Sequence, residues 1–157
     1  MNLRLKIKSV ERPAGLDDDQ TGLDLVDLVR KALEVGQAPP VAVVLRDEKV
    51  DIINLSPVIE ARFPLNRFLA SMSSVIHGGV DAIGVMGTFK MHRQGEKDGV
   101  PVAMVFLEWE DCRWWQWRAL VHDQVVLDGT ETYYRAVDGD PLPHQLGRWW
   151  SLARRSK

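Results

Sequence analysis

Val102-Ala103-Met104-Val105-Phe106-Leu107-Glu108-Trp109, then Glu110-Asp111-Cys112, then Arg113-Trp114-Trp115-Gln116-Trp117-Arg118-Ala119-Leu120-Val121 is the stretch whose reading decides the fold. Two runs rich in β-branched and aromatic residues flank a polar turn too short for anything but an antiparallel hairpin. Successive side chains of a strand face opposite sides of a sheet. Trp115, Trp117, Ala119 and Val121 therefore share one face and read as core. Trp114, Gln116, Arg118 and Leu120 share the other, which is wide and amphipathic.

The same period of two extends outward from this hairpin. Upstream, Ile83, Val85, Phe89 and Met91 point one way, and Gly84 and Gly87 mark a bulge or a close backbone approach. A polar loop over 94–99 joins that strand to the hairpin. Downstream, His122-Asp123 turns the chain into a short strand over 125–127, and Asp128-Gly129 leads to another over 130–137. Residues 41–45 and 50–55 form a further hairpin, whose first strand is apolar at nearly every position and so is expected to be central. Leu3, Leu5 and Ile7 alternate with Arg4, Lys6 and Lys8, which predicts an opening strand.

Between the strands the period changes to that of a helix. Leu25, Leu28, Val29, Ala32 and Leu33 form one apolar stripe, predicting a helix over 22–35 with Thr21 as its cap and Gly36 as its stop. A mobile loop is expected ahead of it, over about 11–20. Ser56, followed by Pro57 at the first helical position, opens a second helix over 57–77, kinked at Pro64. A basic helix is expected over 143–157. The chain thus reads as one α+β domain spanning 1–157. It comprises an antiparallel sheet of about five to seven strands, two helices mainly on one face, and a C-terminal helix.

The order helix, hairpin, helix, three strands over residues 23–121 is similar to that of the roadblock/longin group. The similarity is one of element order and covers about two-thirds of the chain. It implies a small α/β platform that dimerises and binds small GTPases or assembly scaffolds.

Composition narrows the function classes. The 157 residues are 45% hydrophobic and 27% charged, an ordinary globular balance. A net charge of -2 gives no global reason to bind nucleic acid or an anionic membrane. Apolar runs reach only about five residues, against the ~20 that span a bilayer. A lone cysteine, Cys112, forms no intrachain disulfide, which points to a reducing, cytoplasmic setting.

Six tryptophans are the unusual feature, four of them between Trp109 and Trp117. A small core rarely hides six indoles, each with an N–H that needs a partner. The surplus predicts an interaction surface of Trp114, Gln116 and Arg118, with Trp109 at its rim and Arg148, Trp149 and Trp150 contributed by the tail. The competing arrangement is a C-terminal helix folded over Trp114. An alternative ligand site is Glu108, Glu110 and Cys112. Two carboxylates two positions apart on a strand stand ~6.5–7 Å from each other, a separation used in glycoside hydrolysis, and Trp109 and Trp114 would stack on a sugar. The same acids otherwise read as solvated guards of a hairpin end.

Cys112 has His92 and His122 at neighbouring strand ends, but no signature of an activated thiol around it. His77, His92, His122 and His144 lack paired ligand spacing, so no metal is expected, and no cofactor. Gly78, Gly79 and Gly84 follow a helix and precede a strand, the reverse of a phosphate-binding turn. The basic tail interleaves aromatics with cations, as RNA-binding and membrane-surface helices do, though docking on the sheet suits its indoles better. The expectation is a non-catalytic protein-binding or regulatory module that self-associates.

Overall fold

The computed structural model describes residues 7–12, 15–46, 48–62, 80–91, 99–109, 111 and 113–135. Within them the elements run β1 (Ile7–Glu11), α1 (Asp18–Val35), β2 (Val41–Arg46), β3 (Lys49–Asn54), α2 (Ser56–Glu60), β4 (Val80–Met91), β5 (Val100–Trp109), β6 (Trp114–His122), β7 (Val125–Val126) and β8 (Thr132–Arg135). The chain is α+β, as its sequence predicts, and every strand pairing is antiparallel. Spatial order is β1-β3-β2-β4-β5-β6-β7, with β8 also on β6. Among the described residues the sheet has eight strands, against the expected five to seven. Both short strands find room because β7 pairs with the far end of β6 and β8 with its beginning. Among the described residues the order over 23–121 is helix, hairpin, short helix and three strands, as the sequence predicts. The rest of the second helix, to residue 77, and the helix over 143–157 lie outside the described residues.

The central hairpin forms where its residues predict: β5 and β6 pair from Val102↔Leu120 to Glu108↔Trp114, and Trp109 N–H donates to Arg113 O at 2.9 Å to close the turn. β2 is flanked by β3 and β4 and is buried from Ala42 through Leu45, the central strand its composition implies.

Two helix starts differ from the sequence reading. α1 begins at Asp18, and the cap is Asp17, whose Oδ1 accepts from Gln20 N–H at 2.7 Å. Thr21 is buried inside the helix, with its hydroxyl donating to the Asp17 carbonyl at 2.8 Å. Short acidic side chains both cap a helix and suit its positive N-terminal end, so the aspartate run starts the helix where an apolar stripe alone does not. β1 runs to Glu11 and α1 starts at Asp18, so both ends of the stretch expected as a loop over 11–20 belong to regular elements. Similarly, Ser56 is the first residue of α2, not its cap; its N–H bonds to Asn54 Oδ1 at 3.0 Å.

α1 lies on one face of the curled sheet. Leu25, Val26, Val29 and Leu33 pack there against Val43, Leu45, Ala82, Met86, Val105, Leu107, Trp115 and Trp117. Gly22 makes this contact close. A Cβ at that position would sit 2.4–2.5 Å from three carbons of the Trp115 ring. Helix-interior glycine costs about 1 kcal/mol relative to alanine; here the bare backbone lets an indole lie directly on the helix. The opposite face is also buried in its β2–β3–β4 part, at Ala42, Val44, Ile53 and Ile83. Among the described residues no helix is long and apolar enough to cross a membrane.

A polar knot ties β1 to this second face. Ser9 Oγ donates to Asp51 Oδ1 at 2.6 Å, and Arg46 Nε to Asp51 Oδ2 at 3.0 Å. Burial pushes the Asp51 carboxyl up, but the Ser9 and Arg46 hydrogen bonds with the Lys49 and Arg46 charges outweigh it, leaving the group below its ordinary 3.8. A carboxyl depressed on folding contributes stability above its unfolded value and loses it as pH falls through the folded one. Unfolding free energy should therefore drop as pH goes below 3.8, and Asp51→Asn should flatten that drop. Urea melts between about pH 6 and pH 3 measure it; an unchanged slope in the variant removes Asp51 as the source.

Candidate functional site

β6 divides the tryptophans, and the two sides differ in what they leave open. On the α1 side Trp115 and Trp117 are buried, as is Trp109 at the end of β5. Two of these three indoles have acceptors: Trp115 Nε1 donates to Asp19 Oδ1 at 3.1 Å and Trp117 Nε1 to Glu131 Oε1 at 3.3 Å. Cations lie over two of the rings, Arg30 at 5.5 Å from the Trp117 centroid and Arg113 at 5.3 Å from that of Trp109. Arg30 also pairs with Glu131. Trp109 thus belongs to the core, on the face away from Trp114, and not to the rim of an exposed surface. Alternation explains this, since Trp109 is an odd number of positions from Glu108, which pairs opposite Trp114.

On the other side, Trp114 is half-buried and stacks on Phe106 at 6.4 Å between centroids and 29° between planes. Its Nε1 is shielded from solvent and, among the described residues, has no hydrogen-bond acceptor. Further along the same face, the Gln116 amide oxygen accepts from Arg118 Nε at 2.7 Å and Nη2 at 3.2 Å. This fork holds exposed Arg118 to half-buried Gln116, with half-buried Met104 opposite on β5. Leu120, 40% exposed, and Val100 at the start of β5 continue the surface. Trp114, Gln116 and Arg118 are therefore brought together, as the alternation predicts. Arg148, Trp149 and Trp150 lie outside the described residues.

The alternative ligand set is placed only at Glu108. It is 1% exposed, between Ile83 on β4 and Trp114 on β6, so it is not a solvated guard of the hairpin end. Burial to that degree also closes it to a sugar arriving from solvent. Glu110 and Cys112 lie outside the described residues. No group of three or more metal-ligating side chains occurs among the described residues.

A second feature lies where α1 meets β6 and β8. The consecutive aspartates at the head of α1 divide their work: Asp17 caps, Asp18 accepts from Arg113 Nη1 at 2.5 Å, and Asp19 accepts from both Trp115 and Arg135. Burial raises the Asp18 carboxyl above 3.8, and Arg113 offsets this only in part. Beside Asp19 opens a cavity of about 300 Å³, lined by Asp19, Leu23, Trp115, Tyr133, Tyr134 and Arg135. Sequence reasoning missed it. Its only local signal is the tyrosine pair ahead of an arginine in β8, and nothing in that pair names Asp19 as its neighbour.

Comparison with protein-family models, with curated proteins and with solved structures returns no match to this chain.

Proposed function

We propose that the chain is a non-catalytic protein-binding module of the cytoplasm, acting in assembly or regulation and self-associating through the face of β5 and β6 opposite α1. The observation that carries this reading is the Trp114–Phe106 stack, on a strand face that continues to exposed Arg118 and Leu120. Tryptophan and arginine are the residues that most often dominate binding energy at protein interfaces. The Trp114 N–H adds a second support. A shielded donor without an acceptor costs ~1–3 kcal/mol, so the ring leaves its seat without breaking a hydrogen bond and gains one if a partner supplies a carbonyl. Stacked aromatics with an arginine further along the same strand face suit a protein surface more than a small ligand.

Trp114→Ala tests the proposal. Light scattering should show the assembled mass falling toward that of one chain, with a melting temperature almost unchanged. A large loss of stability at constant mass would assign Trp114 to the interior and remove the proposed interface. Arg118→Glu, on an exposed side chain, should have the same effect on mass with even less effect on melting.

A further inference from the structure

The cavity between α1 and β8 combines a carboxylate, apolar walls and a cation already in place. Asp19 Oδ1 is held by the buried indole N–H of Trp115 at 3.1 Å, so the carboxylate is fixed in direction by the core. Its other oxygen, Oδ2, meets Arg135 Nη1 at 2.9 Å, and the Arg135 side chain is 72% exposed. Leu23 and Tyr133, both exposed in part, stand beside this pair, with Tyr133 set edge-on to Trp115 at 6.0 Å between centroids.

We propose that this cavity binds a small organic ammonium ion, a primary amine on an apolar body, which takes the place of Arg135 on Asp19. An exposed ion pair contributes little and leaves a long side chain ordered at its tip, so displacing Arg135 costs little. The incoming ammonium recovers the same charge-assisted hydrogen bond to Oδ2, and its apolar body covers Leu23, Trp115 and Tyr133. A volume of about 300 Å³ accommodates an amine of phenylethyl size and excludes a folded polymer. Arg135 is in this reading an internal competitor that sets the affinity. The site uses the α1 side of β6 and is independent of the Trp114 face, so either can fail alone.

Titration of 2-phenylethylammonium chloride into the full chain by calorimetry tests it, with 2-phenylethanol as the uncharged twin. The amine should bind at least about tenfold more tightly than the alcohol, the difference made by a hydrogen bond to a charged group. Arg135→Ala should tighten amine binding about two- to fivefold, since an exposed competing pair is lost. Asp19→Asn, which keeps an oxygen for the Trp115 N–H, should weaken it about tenfold or more. Equal affinity for amine and alcohol, an Arg135→Ala variant that binds no better, or no binding by any form would each overturn the proposal. If Asp19→Asn perturbs the fold by circular dichroism, the Arg135→Ala result alone decides.

Discussion

Alanine in place of Trp117 should lower the unfolding free energy by about 3–5 kcal/mol, the range for removing a large aromatic from a core. Trp117 is 0% exposed, packs with the α1 stripe, lies under Arg30 and donates its N–H to Glu131. Truncation leaves a cavity among α1, β5 and β8, and surrounding structure relaxes into such a space only in part. It also strips Arg30 of its ring and Glu131 of a donor. In a chain of this size each kcal/mol moves the melting temperature by about 2–4 °C, so the shift is on the order of 10 °C. The contrast with Trp114 is the informative part. The two residues are three positions apart, yet one should report on folding and the other on assembly. A loss below ~1 kcal/mol at Trp117, as expected only of surface positions, would mean that the α1 face is not the principal core.

A comparable loss is expected from a single added methyl. At Gly84 a Cβ would lie 1.9 Å from the carbonyl oxygen of Phe106 and 2.9 Å from its carbon. Both are backbone atoms of the adjacent strand, so no rotamer change relieves the clash. Gly84→Ala must push β4 and β5 apart, in the middle of a ladder that runs unbroken from Ala82↔Trp109 to Met91↔Val100. Overpacking commonly costs ~1–3 kcal/mol; an immovable carbonyl puts this variant at or beyond the upper end. Amide exchange should quicken along β4 and β5 ahead of α1, and the melting temperature should fall. A variant that melts with the parent chain would show that the two strands do not approach as closely as described. Gly87 answers to a related constraint, since its φ of 121° and its approach to the Pro39 carbonyl both exclude a side chain.

Gly84 and Gly87 illustrate how much of this molecule is legible in advance. Two glycines inside an otherwise β-rich run signal a close approach, and that is what Gly84 makes; the atom approached, the Phe106 carbonyl, depends on register and is invisible from the run itself. The faces of β6 were legible for the same reason, because alternation assigns each side chain to a side. Trp109 was placed at the rim because it is near Trp114 in sequence, whereas alternation counted one position past Glu108 sets the two on opposite faces. The start of α1 was misjudged because amphipathic periodicity begins only at the first buried turn, whereas capping is decided by the polar residues ahead of it.

Local sequence alone determined the alternation, the turns and the helix stripe, since each depends on residues a few positions apart and on the geometry of one element. Tertiary structure decided which indoles are hidden and what surrounds Asp19. Its partners Trp115 and Arg135 are 96 and 116 positions away. Contacts at that range exist only after the sheet has curled and α1 has settled on it through the gap left by Gly22.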